Sequence, residues 1–238
     1  MKISAESLDF KELNEQIRNI KGDVYIEECC GQRFIGIGSK GKKITIEGTP
    51  GNALGAYLDG TLIEVKGNVQ DAVGDTMNSG VLVVHGNAGD ALGYAMRGGC
   101  IFVRGNTGYR TGIHMKEYKN KKPVIVVGGQ AGSFLGEYLA GGLIIILGMG
   151  SNTIPVGNFT GTGMHGGKIY ICTEKKPENL PVQVIAEIAN KEELKEIEPY
   201  ITEFAKNFEI DSKSLLEKKF LCLKPNGKNP YKQLYTAN

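Results

Sequence analysis

The residues with the widest chemical range in this 238-residue chain are three histidines and five cysteines. An imidazole can act as base, acid or metal ligand near neutral pH, and a thiolate can act as nucleophile or metal ligand. Their spacing decides what is available. His114 and His165 each follow a glycine-rich corner, in GIHM and GTGMHGG, and they form the one candidate pair for catalysis or metal binding. No carboxylate recurs at a fixed distance from either, so the competing reading is two corner histidines bonded to backbone carbonyls. His85 falls in a polar column with Glu47, Lys66 and Arg104, which gives it a solvated or interface role. Cys29 and Cys30 are adjacent and read either as a redox pair or, with more weight, as two small buried thiols. Cys100, Cys172 and Cys222 stand alone, and the chain has no C-x-x-C for a structural zinc site. Phosphate-loop, zinc-protease and serine-hydrolase signatures are also absent. The glycines run at intervals of three and then four, repeatedly. No acidic residue follows about 20 positions on in a βαβ unit, as a dinucleotide loop needs. The sequence therefore assigns no catalytic, cofactor-binding or metal residue, and no cofactor.

Composition narrows the class further. Lys and Arg number 28 against 26 Asp and Glu, a net charge of +2. Such a balance does not suit a nucleic-acid arm or a membrane-surface patch. Hydrophobic residues are 41% and charged residues 23%, which fits a folded chain. The N-terminus MKISAESLDFKELNEQ lacks an apolar core for a signal peptide. The longest apolar run, LIIIL at 143–147, is too short to span a bilayer as a helix. With an odd number of cysteines and no disulfide framework, the expectation is a soluble, reduced, cytoplasmic protein.

Glycine is the anomaly, with 34 residues in 238 against a usual ~7%. Of these, 31 lie between Gly36 and Gly167. Within that span GTPGNALG, GNVQDAVG, GNAGDALG and GNTGYRTG begin at 48, 67, 86 and 105, three equal intervals of 19. GQAGSFLG follows from Gly129, and GSNTIPVG from Gly150 reads as a looser copy. The unit is G-x-x-G-x-x-x-G, with Gln70 and Thr153 departing at the middle glycine. A β-type run precedes each copy: ITIE at 44–47, TLIEV at 61–65, VLVVH at 81–85, CIFVR at 100–104, VIVV at 124–127 and LIIIL at 143–147. KIYIC at 168–172 closes the series. Alternation puts Ile44/Ile46, Ile63/Val65, Leu82/Val84 and Ile101/Val103 on one face. Val83 and Phe102 fall in the polar phase, so that face is partly covered as well.

Two further columns run through the repeat. Leu54, Val73, Leu92, Thr111, Leu135 and Val156 precede the third glycine; Leu58, Met77, Met96, Met115 and Leu139 come three residues after it. Like residues stacked at one repeat position specify an interior ladder. A 19-residue β-rich period is too short for propeller blades and lacks the leucine-rich signature. The fold expected is all-β, a single-stranded right-handed β-helix of about seven coils at 36–172. Short helical segments at 1–35 and 173–238 cap it. Phe10, Leu13, Ile17 and Ile20 predict a helix before Gly22. Leu194, Ile197, Ile201, Phe204 and Phe208 predict a second amphipathic run, broken near Glu198 by Pro199, whose stripe docks on the solenoid end as a cap. Asp211 caps a short helix through Lys218, and Phe220–Leu223 reads as a terminal strand. Open solenoid ends expose strand edges, so self-association is a further expectation. The loop TGIHMKEYKNKKP at 111–123 interrupts the period; it reads equally as a solvated excursion or a docking edge.

The G-x-x-G-x-x-x-G repeat, with LAGGLIIILGMG at 139–150 and GTGMHGGKIYI at 161–171, resembles the GXGXG domain, the C-terminal β-helix of the glutamate synthase large subunit. It is also similar to the subunit of formylmethanofuran dehydrogenase that shares that fold. The tail from LKEIEPYITEFA to FLCLKP and KQLY is similar, more weakly, to the segment following this domain in glutamate synthase. In that family the catalytic cysteine lies on an amidotransferase domain, and the FMN and iron–sulfur centre lie on a barrel. This chain has neither, so no catalytic residue carries over. The resemblance implies a non-catalytic scaffold subunit in glutamate biosynthesis and nitrogen assimilation. Its partners would be a glutamine amidotransferase and an FMN/iron–sulfur glutamate synthase subunit, with no nucleic acid and no membrane. Two alternatives stand beside it: a component like the β-helical subunit of formylmethanofuran dehydrogenase, and a free-standing ligand-binding protein or enzyme using the His114/His165 corner.

Overall fold

The computed structural model describes residues 1–227. Nine strands stack in parallel and in chain order: β1 (Lys2–Ser4), β2 (Val24–Cys30), β3 (Lys43–Thr49), β4 (Asp59–Val65), β5 (Ser79–Val84), β6 (Gly99–Val103), β7 (Pro123–Val127), β8 (Ala140–Ile146) and β9 (Gly166–Ile171). They form one sheet of a solenoid of about eight turns, one more than the β-type runs alone suggested. The register carries Ile44, Ile63, Leu82, Ile101, Ile125, Ile144 and Ile169 in a single column. All are fully buried, since every second side chain of a strand points into the coil. At the turns that lead into the sheet, Leu58, Met77, Met96, Met115, Leu139 and Met164 fill the interior, also with no exposed surface.

The ladder begins earlier than the glycine repeat. β1 and β2 add two rungs from residues 1–30, and Val24 and Ile26 pair in register with Ile44 and Ile46. Ile35, before Gly36, heads the column that Leu54 and Val73 continue, because the Gly55 N–H donates to the Ile35 carbonyl. The sixth repeat copy also shifts. Val156 bridges Ala131, so it belongs to a different column, and Thr160 before Gly161 is the residue that follows Leu135. The interval from Gly136 to Gly161 is 25 residues; the loop before Pro155 is therefore a second interruption of the period.

Helix α1 (Phe10–Asn19) closes the N-terminal end with Leu13 and Ile17 in the core, after a capping box between Asp9 and Glu12. Asn14 accepts from the Gly36 N–H at 3.0 Å and so ties this helix to the first coil. At the other end, β10 (Val184–Ile188) pairs antiparallel with β11 (Leu221–Pro225), and β11 pairs antiparallel with β9. These strands, rather than a helical stripe, extend the sheet at that end.

Helix α2 (Lys191–Asn207) runs without a break through Pro199, contrary to the expected interruption. A capping box at Asn190 and Glu193 and the buried Ile197, Ile201 and Phe204 hold a helix that has lost one backbone bond. Its stripe does not cap the solenoid end. It lies against the outer face of the sheet, on Val83, Phe102, Val126, Ile145 and Tyr170. The outer column itself explains the placement: it reads Thr45 and Glu64 in the early coils and becomes apolar from Val83 onward. Helix α3 (Ser212–Leu216) starts at Asp211, whose carboxylate accepts from the Lys213 and Ser214 N–H groups. The KQLY segment at 232–235 lies outside the described residues.

Candidate functional site

His114 and His165 do not form a pair. His114 stands two residues after Gly112, in a left-handed backbone conformation with φ of 55°. Its ring is stacked on Tyr138 at 5.1 Å between centroids and meets Tyr94 edge-on at 5.9 Å. His165 stands four residues after Gly161, and its Nδ1 lies 3.0 Å from the Gly163 carbonyl. The coil containing Gly136 separates theirs, so the two positions are two steps, roughly 10 Å, apart along the solenoid. His85 packs within the chain, on the outer face: its Nε2 lies 3.1 Å from Glu64, and its ring meets Phe208, just beyond α2, edge-on at 5.3 Å.

All five cysteines are free. Cys29 is buried but Cys30 is exposed, so the adjacent pair is not two buried thiols. Burial is the largest influence on Cys29 and Cys100, pushing each up to about 11, and on Cys222, pushed up to about 12. Such thiols stay protonated at neutral pH, which suits core packing rather than nucleophilic chemistry. Among the described residues no group of three or more His, Cys, Asp or Glu is placed to hold a metal.

The polar residues of the repeat form two ladders that the sequence pattern did not reveal. The N–H of Asn87 donates to Asn68 Oδ1, that of Asn106 to Asn87, and that of Gln130 to Asn106, each at 2.8 Å. In parallel, the N–H of Asp71 donates to Asn52, that of Asp90 to Asp71, and that of Tyr109 to Asp90. The G-N that opens the copies at 67, 86 and 105 is the signal that could have found the first. These ladders also explain two of the three glycines. A Cβ at Gly105 would stand 2.3 Å from Asn87 Oδ1, and one at Gly108 would stand 2.1 Å from Asp90 Oδ1.

Two carboxylates on the outer face each gather more than one cation. Burial opposes ionisation of Glu64, but hydrogen bonds from Lys66, Lys43 and His85 outweigh it and hold the group at about 2. Glu196 on α2 is likewise opposed by burial and held at about 2 by Lys168, Lys122 and Tyr170. Lys122 reaches it from the 111–123 insertion, which turns back on itself through a bridge between Tyr118 and Lys121. One face of the insertion is thus bound to α2, while Tyr118 remains exposed. A cleft of about 650 Å³ opens at the C-terminal end between the 151–158 loop and the 172–178 segment. Ser151, Thr153, Asn158 and Thr173 supply polar walls.

A glycine-cornered solenoid whose polar repeat positions bond one coil to the next defines the class. Residues 6–225 match the GXGXG motif family, and the chain belongs to it. Among curated proteins it is 44% identical to the "uncharacterized protein MJ1350" of Methanocaldococcus jannaschii, over 99% of this chain and 96% of that one. Among solved structures it resembles a chain of the formyltransferase/hydrolase complex of Methylorubrum extorquens, solved with methylofuran. The TM-score is 0.63 at 18% identity, covering 84% of this chain and 71% of that one. At that identity the likeness is one of fold. No helix among the described residues is long and apolar enough to cross a membrane.

Proposed function

We propose that this chain is a non-catalytic scaffold subunit of a multisubunit enzyme complex and that it holds catalytic subunits in a fixed orientation. The observation that carries this reading is the use of the repeat's polar groups. The Asn and Asp side chains that recur from coil to coil are engaged in inter-coil hydrogen bonds. A stiff rod with engaged side chains presents surface more than it presents a convergent site. The complex we favour is of the glutamate synthase type, with a glutamine amidotransferase and an FMN/iron–sulfur subunit as partners in the cytoplasm. Support comes from GXGXG family membership and from the α2 tail, which stays on the solenoid as an integral part of it.

A second reading has its own support. The formyltransferase/hydrolase complex supplies a similar fold, which favours a component like the β-helical subunit of formylmethanofuran dehydrogenase. Purifying the native protein with its bound chains, and identifying them by mass spectrometry, decides between the two. An amidotransferase with a flavin protein supports the first; a molybdenum or tungsten pterin subunit supports the second. In the first case, adding this chain to the two partners should raise coupled glutamate formation and leave each isolated half-reaction unchanged. Recovery of the native chain alone, or turnover by the lone chain that is abolished by His165→Ala, would overturn the scaffold reading.

A further inference from the structure

A second, shorter ladder runs beside the main sheet. Val69, Ala88, Thr107, Ala131 and Val156 bridge one another in parallel, one residue per coil. Each rung sends its N–H forward to the following coil: Val69 to the Asn87 carbonyl, Ala88 to Asn106, Thr107 to Gln130 and Ala131 to Pro155, at 2.8–3.0 Å. From the second rung onward each is answered from ahead: the Gly108 N–H donates to Ala88, the Gly132 N–H to Thr107 and the Gly157 N–H to Ala131. Among the described residues the series ends at Val156. By the same geometry its N–H and carbonyl point away from Ala131, toward the end of the solenoid. That is where the cleft of about 650 Å³ lies, lined by Val156, Gly157 and Asn158. Asn158 also takes its turn in the polar ladder: its N–H donates to Ser133 Oγ at 3.1 Å, as the Tyr109 N–H donates to Asp90.

Resting on the scaffold reading, we infer that this cleft receives an extended segment of a partner subunit, which adds to the solenoid as its next rung. The ladder dictates the chemistry of the occupant. It must run parallel to residues 155–158 and offer a carbonyl to the Val156 N–H. Two residues further on it must offer an N–H to the Val156 carbonyl, and after that an N–H to Asn158. The middle residue must be small or β-branched, as Val, Ala and Thr are at every rung. The residue after it must be glycine, as it is from the second rung onward. A Cβ at the equivalent Gly157 would stand 2.6 Å from the Ser133 nitrogen, and one at Gly132 would stand 2.8 Å from Gly108. A second copy of this chain does not supply such a segment. Its Ala88–Gly89, Thr107–Gly108 and Ala131–Gly132 pairs are bridged on both sides. Its Val156 would meet this one antiparallel under two-fold symmetry, against the direction of the ladder.

The test uses the native complex and the full-length free chain. Amide exchange at Val156 should be at least about tenfold slower in the complex than in the free chain, the effect of one or two backbone bonds. Val156→Pro removes an N–H that serves no backbone bond among the described residues. The variant should still unfold cooperatively while partner recovery falls about tenfold. Asn158→Ala gives a second variant should the proline disturb the fold. A photo-cross-linker at Asn158 should capture a partner segment containing a small residue followed by glycine. If partners co-purify but Val156 exchanges equally in both forms, or both variants keep their partners, the rung is refuted and the scaffold reading survives. If Val156 is protected in a homodimer, the occupant is wrong. If no partner co-purifies, both readings fall.

Discussion

Tyr170, fully buried on the outer face of β9, donates its hydroxyl to the Glu196 carboxylate of α2 at 2.9 Å. The same carboxylate receives Lys168 at 2.7 Å and Lys122 at 3.0 Å. One side chain therefore joins α2, the last parallel strand and the insertion. Tyr170 is itself shifted upward, first by burial, so it remains a donor throughout the accessible pH range.

The first prediction concerns pH. Glu196 and Glu64 sit near 2, below the ordinary 4.5. A group depressed on folding contributes stability above its unfolded value and loses it as the pH falls toward the folded one. The melting temperature should therefore drop progressively from about pH 5 to pH 2. Glu196→Gln should lower it at pH 7 and flatten that slope. A variant with an unchanged acid profile would show that the contact contributes nothing measurable.

Met96 gives a core prediction. It has no exposed surface and lies in a column with Met77 and Met115. Met96→Asp would bury an unpaired carboxylate and should cost on the order of 3–5 kcal/mol in denaturant unfolding. Near-wild-type stability would contradict the column.

Two glycines separate backbone conformation from space. Gly38 and Gly93 have similar φ values, 61° and 67°. A Cβ at Gly38 meets nothing within 4 Å, whereas one at Gly93 would stand 2.5 Å from Ile125 Cδ1. Gly38→Ala should cost about 1 kcal/mol through the left-handed backbone alone. Gly93→Ala should cost roughly 1–3 kcal/mol more through overpacking. Equal losses in thermal unfolding would remove packing as the reason for the third glycine.

Pro199 lies on the exposed side of an unbroken helix. Pro199→Ala restores a helical N–H and should stabilise the protein by about 1–3 kcal/mol, read from the denaturation midpoint. A destabilised variant would mean that the proline sets a bend the packing of α2 requires.

Truncation after Ala189 removes α2 and β11 together. It should uncover Phe102, Val126 and Ile145 and leave the β9 edge unpaired, giving an aggregating protein in light scattering. A soluble, equally stable fragment would mean the tail is dispensable.

The solenoid was legible in the residues alone. The equal 19-residue intervals, the alternating Ile and Val, and the Met column each required like residues to stack, and a strand laid on its equivalent is the arrangement that stacks them. What the pattern left open was set by neighbours distant in the chain. Ala91 and Gly93 share a left-handed backbone, at φ of 55° and 67°. Conformation alone does not explain why only the second is glycine; Ile125, on β7, does. β2 and Ile35 were illegible as rungs because the glycine pattern had not yet begun, and the register of β2 comes from pairing with β3. The repeat spacing misplaced Val156, because the longer interval before it shifts the count while hydrogen bonds to Ala131 fix the position. The place of α2 followed from the change of the outer column from Glu64 to Val83 and Phe102. That change becomes one continuous apolar surface only when successive coils are laid side by side.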